Sequence, residues 1–393
     1  MVDFYHEALE LFEMTRMLRR DFHRHPELGF QEVRTAGIVA RELSQLGLEV
    51  TSGIAETGVV ALLEGARPGP VVLLRFDMDA LPVTEENITD YVSQTPGVMH
   101  ACGHDGHVAI GITVARILNE MRNDLPGTIK FIFQPAEEGQ GGAERMIGAG
   151  ILENPAPVRT LALHLWNELP VGHVAFVPGP LMAGAALISV KLTGRGGHGA
   201  QPNLTVDPII AATQIVAGLQ TIVSRNIAPM QAAVLSVTYI KAGETYNVIP
   251  QTAELRGTLR YFEPEVKRTL FMRFDQIVTT LAQAFGCQSE IKITDLTPPV
   301  VNEPEFATKL GLLAETVLPG IQVDSSFKIM VSEDMALMME KVPGCYFLVG
   351  SANPEKGLNY GHHHPRFDFD ESALPRAAAL MAACAVSVLK SNL

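Results

Sequence analysis

Cysteine, tryptophan and basic charge are all scarce in this chain. The four cysteines, Cys102, Cys287, Cys345 and Cys384, lack paired spacing, which argues against a disulfide framework and fits a reducing compartment. Lys and Arg number 30 against 43 Asp and Glu, and the net charge of -13 argues against a nucleic-acid or anionic-membrane partner. The opening residues carry Asp3, Glu7 and Glu10 with no apolar core, so no export signal is read there. No run of about 18 apolar residues follows. Internal repeats, a P-loop, an H-E-x-x-H helix and a G-x-S-x-G elbow are also absent. The expectation is a soluble, cytoplasmic protein. With 393 residues, 47% of them hydrophobic, the chain has enough for a large core and too many for one ordinary domain, so two domains are expected.

An amphipathic helix is read from about Asp3 to Arg20, ending before His25-Pro26, and a second from about Glu32 to Leu46. Strand-like runs follow at 58–63 and 70–76. The latter, Val71-Val72-Leu73-Leu74, is apolar on both faces as a covered central strand would be, and it runs into Asp77-Met78-Asp79. A helix over 108–121, a strand over 128–133, a short helix and a strand over 160–165 continue the alternation. That order predicts an α/β domain with a mostly parallel sheet and helices on both faces, whose strand C-termini form the ligand edge. After Pro178-Gly179-Pro180 the order becomes βαββαβ, a ferredoxin-like α+β insert, with Asp207-Pro208 opening its first helix. The expected division is 1–183 with 297–393 for the larger domain and 184–296 for the insert.

The densest chemistry lies in His100-Ala101-Cys102-Gly103-His104-Asp105-Gly106-His107. On an extended backbone, Cys102 and His104 would leave on one side and could share an ion. Thiolate with imidazole suits a transition metal such as zinc rather than Mg²⁺ or Ca²⁺. A buried structural Cys beside satisfied histidines explains the same residues, so other ligands must be sought. Four further stretches carry ligand types at predicted strand ends or in loops: Asp77-Met78-Asp79, Gln134 to Gly139 with Glu137-Glu138, Ala162 to Trp166 with His164, and Gly361-His362-His363-His364-Pro365. Each alone reads more readily as solvated acids, a core histidine or a surface tract. In a parallel sheet, however, strand C-termini lie along one edge and such residues converge. Consecutive carboxylates at a strand end would point opposite ways, so one could bind metal while Glu137 faces substrate and takes a proton from water. The glycines at 139, 141 and 142 would leave room for that ligand.

Gly194-Arg195-Gly196-Gly197-His198-Gly199 matches the dinucleotide fingerprint, which would make a nicotinamide or flavin enzyme the competitor. It does not open directly into a helix, because Gln201-Pro202-Asn203 intervenes, and no acid between Pro208 and Ile240 could hold a ribose. Its glycines instead let His198 approach a ligand, or form a plain turn with an exposed His.

Taken together the motifs resemble the amidohydrolase branch of the M20 metallopeptidases, which includes aminoacylases, hippurate hydrolases and auxin-conjugate hydrolases. The match spans Asp21 to Phe30, Arg75 to Pro82, Met99 to His107, Gln134 to Gly139, Gly196 to Pro202, Asn247 to Pro250 and His363 to Phe367. The resemblance implies a metal-dependent hydrolase of N-acyl amino acids holding two divalent ions (Zn, Mn, Ni or Co), with an inserted lid that also makes a homodimer. It further implies Cys102, His104, Glu138, His164 and His363 as ligands, with Cys102 bridging, and Glu137 as general base. Asp79 would orient the site, His198 would steady the oxyanion in a neighbouring subunit, and Asn247 and Arg260 would grip substrate. Asp77 stands where the wider family has a histidine, and its role is open. The other class of reading is a non-catalytic metal-stabilised scaffold on the same fold.

Overall fold

The computed structural model describes residues 2–390. In chain order the elements begin with helices α1 (Phe4–Glu10), α2 (Phe12–Arg24) and α3 (Val33–Gln45) and strands β1 (Glu49–Ile54), β2 (Gly58–Glu64) and β3 (Arg67–Asp77). Next come α4 (His104–Glu120), β4 (Pro126–Gln134), α5 (Gly142–Gly148), β5 (Arg159–Pro170), β6 (His173–Ala175) and β7 (Gly179–Met182). The insert holds β8 (Gly184–Thr193), β9 (Gly197–His198), α6 (Pro208–Thr221), β10 (Ala233–Ala242), β11 (Val248–Ile249), β12 (Thr252–Tyr261), α7 (Pro264–Ala284) and β13 (Gln288–Thr297). The chain closes with β14 (Val300–Asn302), α8 (Pro304–Val317), β15 (Gln322–Asp324), α9 (Met335–Met339), β16 (Gly344–Ala352) and α10 (Ala373–Lys390). The single helix expected at the start is two, broken at Leu11 and stopped at Arg24 before His25-Pro26.

The residues fall into two units. The larger runs to Leu181 and resumes over Val301–Lys328 and from Asp334 onward; the smaller covers Met182–Val300 and Ile329–Glu333. These limits differ from the expected ones by a few residues and by the short 329–333 return. The larger unit carries an eight-stranded sheet in the order β1-β2-β4-β3-β5-β16-β6-β15. Its centre, β4-β3-β5-β16, is parallel, while β1, β2 and β6 add antiparallel pairings. Alternation along β3 assigns the two faces. Phe76 packs with Phe133 against α4 at Gly111, whereas Arg75 points the other way and meets Asp334, which precedes α9. Helices therefore cover both faces, and the apolar run of β3 is explained.

Helix α10 is long and apolar enough, by length and composition, to cross a membrane. It is instead the core helix, with 83% of it buried against α4 and strands β3 to β5. The smaller unit is an antiparallel sheet in the order β10-β12-β8-β13, with α6 and α7 packed on it through Ile215, Leu219, Leu270, Phe274 and Val278. The Asp207 carboxylate accepts a hydrogen bond from the Ile209 N–H and starts α6, as the Asp-Pro pair predicts.

Candidate metal centre

Strands β3 and β4 are parallel and end in register, Asp77 beside Gln134, so the loops that follow them leave from one edge of the sheet. Asp79 follows β3 and Glu137-Glu138 follow β4. His164 sits inside β5, which runs past its expected end to Pro170, rather than at a strand terminus.

The opening cluster is built differently from the expectation. Gly103 has φ +91°, in the left-handed region, and His104 is already the first residue of α4. Cys102 and His104 are therefore not neighbours on an extended strand. A left-handed glycine turns the chain between them and swings the imidazole back towards the thiol. Glu137 and Glu138 likewise do not sit at a strand end. Both lie in a turn beyond Ala136, whose φ is +54°, and their carboxylates do not diverge: one oxygen from each lies within 4.8 Å of the other and of a His104 nitrogen. Nor does Gly142 leave room for a ligand. A Cβ there would lie 1.7 Å from the Pro135 carbonyl oxygen, so its task is close backbone packing.

The structure gathers all five expected ligands. Cys102, His104 and His164 form one triad of donor atoms within 4.8 Å, and Cys102, Glu138 and His363 form another. Cys102 belongs to both, with its Sγ 3.5 Å from His164 Nε2. His363 Nε2 lies 3.3 Å from Glu138 Oε1, and its side chain is 54% exposed. Its neighbour His362 turns away, donating to the Leu165 carbonyl at 3.0 Å and stacking on Trp166.

Do these donors fit a metal? His164 Nδ1 donates to the Leu165 carbonyl at 2.7 Å, and His104 Nδ1 donates to the Asp79 carbonyl at 2.9 Å with Asp79 Oδ1 at 3.2 Å. In its neutral form each ring therefore carries its proton on Nδ1 and presents an Nε2 lone pair, as metal-binding histidines do. Among the described residues, His104 Nε2 is buried without a hydrogen-bond partner, and the buried Glu138 Oε1 meets only its fellow donors, with His363 Nε2 at 3.3 Å. Asp79 Oδ2 accepts from the Glu138 N–H at 2.9 Å, so one carboxylate orients two expected ligands. The local charge is negative. Burial pushes the Cys102 thiol well up, and Glu138, Glu137 and Asp77 push the same way. For His104, burial is outweighed by Asp77, Asp79 and Glu138, which raise it to about 10. Mixed S, N and O donors with free lone pairs in an electronegative pocket fit divalent transition metals.

Asp77, left open by the sequence, faces Arg75 and His107, and the smaller unit holds the remaining expected residues. His198, on β9, is exposed; its Nδ1 accepts from the Ala200 N–H at 3.1 Å, which leaves Nε2 as a donor. Asn247 is exposed beside it, its carbonyl accepting from the Gly199 N–H at 2.7 Å. Arg260, on β12, donates to the Thr258 hydroxyl and the Leu259 carbonyl.

Sequence reasoning missed Asp334. Its carboxylate receives Gln134 Nε2 at 2.7 Å, Arg75 Nη2 at 3.0 Å and the Ala143 N–H at 2.9 Å, while its own N–H points to Glu137 Oε1 at 3.4 Å. A readable signal existed: Arg75 inside an apolar strand demands buried acids as partners.

The sequence profile of peptidase family M20/M25/M40 matches residues 73–387. The chain belongs to that family. Membership brings the reaction class, hydrolysis of an amide bond. The chain is 40% identical over 375 residues to the N-acetylcysteine deacetylase of Bacillus subtilis, covering 95% of this chain and 96% of that one. It is 35% identical to IAA-amino acid hydrolase ILR1-like 4 of Arabidopsis thaliana, over 97% of this chain and 87% of the relative. Among solved structures, the YXEP protein of Bacillus subtilis, described as a dinuclear metal-binding peptidase of the M20 family, superposes with a TM-score of 0.85 at 36% identity, covering 97% and 99% of the two chains.

Proposed function

We propose that this M20 enzyme hydrolyses N-acyl amino acids, using two divalent ions and Glu137 as the group that moves the proton. The carrying observation is that two buried histidines, one thiol and one carboxylate present unshared electron pairs to one pocket, with a second carboxylate beside them. Cys102, His104, Glu138, His164 and His363 would hold the ions, Cys102 contributing to both. Bound there, divalent ions supply Lewis acidity, which polarises the scissile carbonyl and eases the loss of a proton from water near neutral pH. Glu137 accepts that proton and returns it to the leaving amine. Asp79 keeps His104 and Glu138 in place through the bonds described above. His198 supplies an N–H donor for the oxyanion in a second protomer's site, and Asn247 and Arg260 grip the substrate's carboxylate end.

The names of relatives support an acyl group on an amino acid: a deacetylase of N-acetylcysteine and a hydrolase of IAA-amino acids. A panel of N-acetyl and N-benzoyl amino acids, assayed on protein reconstituted with Mn²⁺, Co²⁺, Ni²⁺ or Zn²⁺, tests the reading. Release of free amino acid with at least one acyl class is expected. Two bound ions and no turnover on the whole panel would turn the reading to a metal-stabilised scaffold.

A further inference from the structure

Asp77 and His107 lie beside the donor cluster without a task in the scheme above. His107 follows His104 by three residues, so both rings leave the same face of α4. Its Nε2 accepts a hydrogen bond from the Leu165 N–H at 3.0 Å, which puts the ring proton on Nδ1, 2.6 Å from Asp77 Oδ1. Asp77 Oδ2 in turn takes Arg75 Nη1, and Arg75 Nη2 reaches Asp334 at 3.0 Å. Every member of this chain is buried. The His107 ring stands edge-on to His164 with centroids 4.5 Å apart, and lies 5.4 Å from the His104 ring. It thus ties three elements together: the first turn of α4, the end of β3, and β5 at the residue after His164.

We propose that His107 is a positioning residue that, held by Asp77 and Arg75, fixes the His104 and His164 imidazoles and so sets the metal affinity of the site without binding an ion itself. The inference rests on the two-ion reading above. It also gives Asp77 a role. Where the resemblance leaves this position open, the carboxylate here is spent on His107 and Arg75 and acts as an anchor. One donor atom each from Asp77, His104 and His107 also fall within 4.8 Å of one another, which raises the rival of a further ion. Such an ion would have to break the His107 bonds to Asp77 or to Leu165, and the Arg75 pairing would oppose it. Partners that orient metal-binding histidines are worth about 10- to 100-fold in metal affinity, because a ring free to rotate must be ordered on binding.

The test dialyses metal-loaded chain against graded chelator and counts bound Zn²⁺, and separately Mn²⁺, by mass spectrometry, with the thermal midpoint measured alongside. His107→Ala is expected to fold and to release at least one ion at about 10- to 100-fold lower chelator. His107→Gln, whose amide can donate to Asp77 and accept from Leu165, is expected to recover most of that loss. A merely structural role would lower the midpoint and leave the affinity of the folded protein unchanged, and that result would overturn the proposal. So would a crystal with an ion bonded to His107 or Asp77. Should His107→Ala fail to fold, the near-isosteric Asp77→Asn replaces it, with the same weakening expected and wild-type affinity counting against. Wild-type chain that holds no ions under any loading would overturn the two-ion reading itself, a failure distinct from a variant that binds like wild type.

Discussion

Two buried polar clusters sit back to back at the start of α4, and they treat their charges in opposite ways. On one side, His104 Nε2 has no hydrogen-bond partner among the described residues, and the other donors crowd against one another, Cys102 Sγ on His164 Nε2 and His363 Nε2 on Glu138 Oε1, with no buried cation facing them. On the other, Arg19 is fully buried against Asp105 at 2.8 Å, Asp368 at 2.6 Å and Glu371 at 3.2 Å. There His23 lies between Asp105 at 2.8 Å and Glu85 at 3.1 Å, the Tyr91 hydroxyl donates to Asp368, and the Arg19 guanidinium lies over Phe369. Each charged group in the second cluster faces its opposite, and the adjacent residues His104 and Asp105 belong to different clusters. A cluster whose charges pair internally is scaffold, even with Asp105 Oδ1 left without a hydrogen-bond partner, whereas one that gathers lone pairs around no cation is built for something from outside.

The difference predicts that the clusters fail separately. Glu137→Gln should keep its metal and its thermal midpoint while lowering kcat by about 10²- to 10⁴-fold, the usual weight of a positioned proton-transfer group. Metal counting beside steady-state kinetics checks this, and substantial remaining turnover would remove Glu137 from its role. Arg19→Met should do the reverse. Leaving Asp105 and Asp368 buried without their cation should cost about 3–5 kcal/mol of stability by denaturant titration, while the folded fraction keeps its metal stoichiometry. Loss of metal without loss of stability would merge the two clusters into one.

A smaller effect follows from His23. Burial would lower its pKa, but Asp105 and Glu85 outweigh burial and hold it up at about 9, against 6.5 for a free imidazole. The group is charged in the folded chain where the unfolded chain has already lost the proton. Its contribution is thus complete below about pH 6.5 and disappears as pH rises through 9. The thermal midpoint should fall over that window, and the fall should be reduced in His23→Gln.

The residue types were readable, and so was the meeting of the loops after β3 and β4, because parallel strands bring their C-terminal ends to one edge whatever their spacing in the chain. The βαββαβ order of the insert and the start of α6 were readable for a similar reason, since an Asp-Pro pair acts locally. What stayed hidden depends on backbone turns or on distant pairings. Nothing in Cys102-Gly103-His104 announces that Gly103 is left-handed, and the extended reading brought the same two side chains together through the wrong geometry. Asp334 meets Gln134 across 200 positions, and Arg19 meets Asp105 across 86, with no periodicity to betray either contact. Only the buried arginine in β3 hinted at the first. Residues on the smaller unit were readable as types, but their tasks belong to the proposal.

In a metal centre the lone pairs of the first cluster receive cations. Anomalous diffraction from crystals of metal-loaded chain, collected above and below the absorption edge of zinc or manganese, tests that most directly. Two peaks are predicted, one within bonding distance of each donor triad and both touching the Cys102 sulfur. An empty map there at full loading, or density among the Arg19 partners instead, would contradict it.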